Sequence, residues 1–209
     1  MISNWLADLQ YRFGATVAAS GLIEPDTSWS AQLLSSDRLW MLIEGTHVLA
    51  LMLFVGTILF VDLRLLGVTM RSVPVSRVTD QVLPWTIGGF VLLIVTGGLL
   101  FFSNPLEYWH NAAFRVKLVL LAAAAINIFW FHWRVQANRA DWDRALVAPR
   151  AARISGAASL MLWIAVIFAG RYMAYDWTKC MSPGPVVAAL AQCEVYDRTL
   201  ERVDAELAL

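Results

Sequence analysis

The sequence predicts an all-α integral membrane protein built on a four-helix transmembrane bundle. Three observations carry that reading: a composition too apolar for a water-soluble domain, four apolar stretches of bilayer-crossing length, and arginine-rich loops that alternate with an arginine-free one. Of the 209 residues, 59% are apolar and 15% charged, against about half and a quarter in an average soluble domain. The formal net charge is zero, with 16 basic and 16 acidic residues, so no global charge points to nucleic acid.

Residues 1–38 come first and carry no signal-peptide pattern, because no apolar core with a small-residue cleavage site follows Met1. Trp5, Leu6, Leu9 and Phe13 recur at helical spacing beside Asp8 and Arg12, which predicts a short amphipathic helix lying in the membrane interface. Residues 39–175 form the bundle, with spans at 39–61, 82–102, 112–133 and 154–175. A hydrocarbon core of roughly 30 Å takes about 20 helical residues to cross. Only helices or closed barrels satisfy the backbone inside it, and none of these stretches alternates with the period of a barrel strand. Recurrent small residues, among them Gly56, Gly89, Gly156 and Gly170, let the helices approach closely.

The loop after the first span holds Arg64, Arg71 and Arg77, and the loop after the third holds Arg134, Arg139, Arg144, Arg150 and Arg153. Residues 103–111, between the second and third spans, contain no Lys or Arg. By the positive-inside rule the arginine-rich loops face the cytoplasm. Both termini then lie on the external, periplasmic side of a bacterial inner membrane. Trp40, Trp109, Trp130, Trp133 and Trp177 fall at the expected interfaces, as an aromatic belt requires.

Residues 176–209 form an external tail that contains the only two cysteines, Cys180 and Cys193. An external position is where a disulfide persists, and pairing is the expectation, with two unpaired thiols as its alternative. After the break at Ser182-Pro183-Gly184-Pro185, residues 186–207 read as one amphipathic extramembrane helix.

Ionisable residues within spans mark candidate sites, because they must face the bundle interior, pair or snorkel. Glu44 and His47 are three apart and share a helical face. His47 lies roughly 12 Å below the outer surface and Lys117 roughly 8 Å, at about 1.5 Å of rise per residue. His110 precedes Lys117 by seven residues and shares its face if that helix already runs through Trp109, whereas Arg115 points nearly the opposite way. The outer part of the bundle is thus expected to gather Glu44, His47, His110 and Lys117, with Arg171 near. His132, roughly 30 Å away along its helix, reads as an interfacial histidine beside Trp133. Asp62 and Arg64 sit at the cytoplasmic boundary.

A buried Glu44–Lys117 ion pair, or a snorkelling Lys117, explains this cluster structurally. The functional alternative is one b-type haem held by His47 and His110, or by His47 and Lys117, with Arg171 at a propionate and Phe101, Tyr108, Trp109, Phe114 and Tyr172 walling it. Covalent c-type attachment is excluded, because no Cys-x-x-Cys-His motif exists. Copper on His47 and His110, with Met173 and Met181, is the rival metal.

The runs Glu44-Gly45-Thr46-His47, Asp62-Leu63-Arg64-Leu65-Leu66-Gly67, Thr96-Gly97-Gly98, Phe114-Arg115-Val116-Lys117-Leu118 through Asn127, and Ala169-Gly170-Arg171 together resemble an uncharacterised bacterial four-helix membrane family over about residues 38–175. That family is distantly similar to the membrane domain of copper-resistance protein D and to the small membrane-bound protoporphyrinogen oxidase. The resemblance implies haem binding for His47, with Lys117 as the second candidate.

No nucleophile–base set, phosphate loop or carboxylate pair is present, so an independent enzyme is the least supported reading. The expected functions are an accessory membrane subunit relaying electrons between a periplasmic redox partner and quinone, a non-catalytic structural subunit of a larger membrane complex, or a copper-handling membrane protein.

Overall fold

The computed structural model describes residues 1–135 and 139–207. Residues 136–138, in the loop expected on the inner side, and the last two residues of the tail lie outside the described residues, as do the side chains of Val135 and Arg139. The chain opens with helix α1 (Ile2–Tyr11), a two-stranded antiparallel hairpin of β1 (Thr16–Val17) and β2 (Ile23–Glu24) that sets Thr16 opposite Glu24, and α2 (Trp29–Ser35). Then come α3 (Asp37–Leu66), α4 (Val75–Ser103), α5 (Pro105–Trp109) and α6 (Ala112–Trp130), the last continuing as a π-helical turn over Phe131–Val135. α7 (Arg139–Trp142), α8 (Arg150–Tyr172), α9 (Pro185–Ala191) and α10 (Cys193–Leu207) complete it.

The protein is all-α apart from the small hairpin. α3, α4, α6 with its π-turn, and α8 are the four helices long and apolar enough to cross a membrane, so this is a multi-pass membrane protein. Each expected span overlaps one of these helices, but α3 runs on to Leu66, α4 begins already at Val75, and α8 begins at Arg150 and ends at Tyr172, short of the expected 175. Hydropathy marks the lipid-facing part of a helix, whereas backbone hydrogen bonding continues past it through polar residues such as Asp62 and Arg64.

The chain divides into two compact units. The first comprises residues 1–46, 95–116 and 169–209; the second comprises 47–94 and 117–168.

In the first unit, α1 packs Leu6 and Ala7 against Leu106 of α5 and Val203 of α10. The expected interfacial helix is therefore also a core element, and only its other face, with Trp5, is exposed. Ser30 of α2 donates to the Phe102 carbonyl at 2.7 Å. The tail is pinned by a Cys180–Cys193 disulfide, the expected pairing. The single tail helix expected over 186–207 is instead two, broken at Gln192, whose backbone is left-handed with φ 58°. The carbonyls that end α9 are claimed by side chains from elsewhere: Arg115 donates to Leu190 O at 2.9 Å and the His110 ring meets Ala191 O at 2.8 Å.

In the second unit, segments of α3, α4, α6 and α8 surround a core of Phe54, Ala124, Trp163 and Val166, with Leu93 packed on it. This is a four-helix bundle in its own right. Two glycines set its spacing. A Cβ at Gly89 would lie 3.0 Å from the Phe54 nitrogen, and one at Gly156 would lie 3.3 Å from the Asp62 carbonyl oxygen. Each lets a neighbouring helix ride against the α3 backbone.

Candidate functional site

The expected cluster of ionisable residues divides between the two units. Glu44, His110 and Arg171 belong to the first; His47 and Lys117 belong to the second. Lys117 stands close enough to His47 for their charges to interact. The helical continuity assumed for His110 and Lys117 does not hold. α5 ends at Trp109 and α6 starts at Ala112, because Asn111 caps α6, its side-chain oxygen accepting from Phe114 N at 3.2 Å.

His110 is 1% exposed and occupied on both sides. Its Nδ1 lies 2.8 Å from the Ala191 carbonyl and its Nε2 3.0 Å from the Ser3 hydroxyl. A carbonyl only accepts, so Nδ1 carries the proton and Nε2 takes the serine's. Burial, and then the charge of Arg115, outweigh the Ala191 bond and lower the pKa of this imidazole. A bis-histidine haem does not fit this arrangement, because iron would need a ring nitrogen that is already spent.

Three of the five aromatic residues expected to wall a cofactor, Phe101, Tyr108 and Phe114, pack their rings on one another. Phe101 lies against Phe114 with ring centres 5.5 Å apart and 15° between planes, and Tyr108 lies 6.5 Å from Phe101. Burial, reinforced by Glu107 and Glu44, pushes the Tyr108 hydroxyl up to about 12. Glu44 itself is exposed. Arg171 is exposed too, its guanidinium 5.0 Å from the centre of the Tyr175 ring. Of the proposed copper donors, Met173 is half-buried and Met181 exposed. Among the described residues, no group of three or more His, Cys, Asp or Glu is placed to hold a metal ion.

The more distinctive chemistry lies in the second unit, around Asp62 and Arg64. Arg64 was expected on an arginine-rich surface. Instead it is wholly buried, donating from Nε to Val73 O at 2.7 Å and from Nη2 to Ala145 O at 2.9 Å. It ties the α3–α4 loop to the segment before α8. Asp143 reinforces that tie, since Ser76 donates to its two carboxylate oxygens at 2.7 and 2.6 Å.

Asp62 is 5% exposed and lines the same cavity as Ser159, and its Oδ2 has no hydrogen-bond partner among the described residues. That cavity, of about 210 Å³, has walls that include Phe54, Phe131 and Trp163, with Thr86, Asn127 and Ser155 as polar members. Asn127 and Ser155 bond to each other, and Thr86 bonds Thr57 at 2.8 Å. Leu83 and Ile128, also in the lining, are 46% and 41% exposed, so the cavity reaches the surface.

The sequence placed Asp62 at a boundary, offered Asn127 only as the end of a shared run, and did not single out Ser155 and Ser159. The available signal was an asparagine in mid-span and two serines four residues apart on one helical face.

The fold and this cavity define a multi-pass, four-helix membrane protein with a small, mostly apolar chamber carrying one under-bonded carboxyl group. Residues 41–176 match the model of a family of unknown function, DUF6644, and the chain belongs to that family. No curated protein and no solved structure matches it.

Proposed function

We propose that this protein is an accessory subunit of the bacterial inner membrane that takes the ring of a quinone into the cavity of the second unit. The observation that carries the reading is the Asp62 carboxyl oxygen left without a partner in an apolar chamber. Natural proteins rarely leave such a group unpaired, so an orphan in a cavity points to a ligand that completes it.

Size and chemistry narrow the ligand. An apolar cavity of about 150 Å³ holds a benzene ring, and 210 Å³ admits one substituted six-membered ring. The faces of Phe54, Phe131 and Trp163 suit a flat ring. Asp62 donates to a quinone carbonyl when protonated and accepts from a quinol hydroxyl when ionised. Quinones also dissolve in the bilayer, where the cavity opens among exposed Leu83 and Ile128.

An accessory role is supported by the donor inventory: His110 has both nitrogens bonded, and the cysteines are spent in the disulfide. The redox centre that trades electrons with the quinone then belongs to a partner protein. The arginine distribution supports external termini and a cytoplasmic position for Arg71 and Arg77.

The test is equilibrium binding of a tritiated short-chain quinone to the protein in lipid nanodiscs. Saturable binding is expected, weakened at least tenfold in Asp62→Leu. Binding no greater than to empty nanodiscs, or equal in both proteins, would falsify the reading.

A further inference from the structure

We infer that His132 is the port through which the buried Asp62 carboxyl exchanges protons with water on the arginine-rich side of the membrane. A carboxyl group that is 5% exposed trades protons with bulk solvent only through a route, and the cavity supplies one. Asp62 and His132 are the two titratable residues in its lining. They lie on different helices, α3 and the π-turn that ends α6. π-Turns are rare and recur at functional sites.

The histidine is arranged for the task. It is exposed to the surface while also lining the cavity. Its Nδ1 is 2.9 Å from the Ile128 carbonyl, which only accepts, so Nδ1 carries a hydrogen and Nε2 is left to take up a proton. The polar members of the lining include Asn127, Ser155 and Ser159. Ser155 is bonded to Asn127, and these two and Ser159 line the same chamber as Asp62 and His132. The volume accommodates roughly seven waters at about 30 Å³ each.

One proton enters at Nε2, passes through cavity water and the serine hydroxyls, and arrives on an Asp62 oxygen. No electron moves and no covalent bond besides O–H and N–H changes. The inference rests on the proposed quinone reading only for what finally consumes the proton, a ring oxygen at Asp62.

The experiment therefore uses no quinone. The protein in nanodiscs, in mildly acidic buffer, is switched to deuterated water, and the infrared carbonyl band of protonated Asp62, identified by its loss in Asp62→Asn, is followed as it shifts. Exchange is expected to slow at least tenfold in His132→Ala and to recover when imidazole is added. His132→Gln, whose amide still donates to the Ile128 carbonyl, is expected to be as slow as His132→Ala.

Unchanged exchange in His132→Ala overturns the port. So does slowing that His132→Gln repairs, because that assigns the effect to the Ile128 bond. Quinone binding measured on the same nanodiscs separates the two ideas. A His132-dependent exchange without quinone binding leaves the port standing and removes the quinone, whereas quinone binding with His132-independent exchange does the reverse.

Discussion

Among the described residues each unit keeps buried polar atoms unbonded, Arg202 Nε in the first and Arg64 Nη1 and Asp62 Oδ2 in the second, but of these residues only Asp62 lines the cavity. His110, Asn111 and Thr178 each bond to groups that their own surroundings supply. Asp62 and Arg64 each keep one atom orphaned. Buried polar groups are costly unless bonded. A fully bonded histidine is thus explained by the fold it holds together, whereas an under-bonded carboxyl in a cavity is not. The contrast moves the functional candidate away from the histidine-rich region that the sequence favoured and toward Asp62.

Substitutions should sort by this distinction. The largest stability loss is expected from Arg64→Ala, which strands the carbonyls of Val73 and Ala145. Hydrogen bonds from a charged donor are worth about 1.5–3 kcal/mol each, so a loss of about 4 kcal/mol should appear as a sharply lowered melting temperature in detergent. A variant that melts like the wild type would show that the loop tie is dispensable.

Next comes the disulfide. Cys180 and Cys193 are 13 residues apart, and closing a loop of that length stabilises by about 3 kcal/mol. The double serine variant should lose this much, with quinone binding intact. If binding falls as well, the two units are not functionally separate.

His110→Ala should lose about 2 kcal/mol by unpairing Ser3 and the Ala191 carbonyl. Its pH dependence is a sharper test. The folded pKa is lowered from 6.5, so the unfolded chain binds the proton first. The stability of the neutral, buried histidine is complete above 6.5 and declines as pH falls below it. Melting curves of the wild type should therefore drop more steeply on acidification than those of His110→Gln. The smallest effect is expected from Thr86→Val, which removes the bond to Thr57; bonds of this kind within membranes average about 0.6 kcal/mol.

Much of the fold was legible because a bilayer is a demanding solvent. Four stretches of sufficient length could only be helices, and two cysteines in a tail expected to be external could be expected to pair. Breaks at single residues were not legible. Asn111 looks like any polar residue at a span end until its side chain is seen capping α6, and nothing in a run such as Ala191-Gln192-Cys193 announces a left-handed turn. Those two breaks decide the fate of His110, which sits between them in space and is consumed by them.

The sequence pointed away from Asp62 for a related reason. Histidine, lysine and glutamate stand out against an apolar background, whereas the significance of Asp62 depends on which of its oxygens finds a partner. That is a property of packing among α3, α6 and α8, helped by the absence of a side chain at Gly156.

The most direct test measures the stability and the quinone affinity of Asp62→Leu on the same preparation. Replacing an incompletely bonded buried carboxyl by an apolar side chain of similar size is neutral or stabilising. The account predicts a melting temperature no lower than that of the wild type, together with at least tenfold weaker quinone binding. A melting temperature lowered as far as that of His110→Ala, with binding retained, would contradict it and make Asp62 one more structural residue.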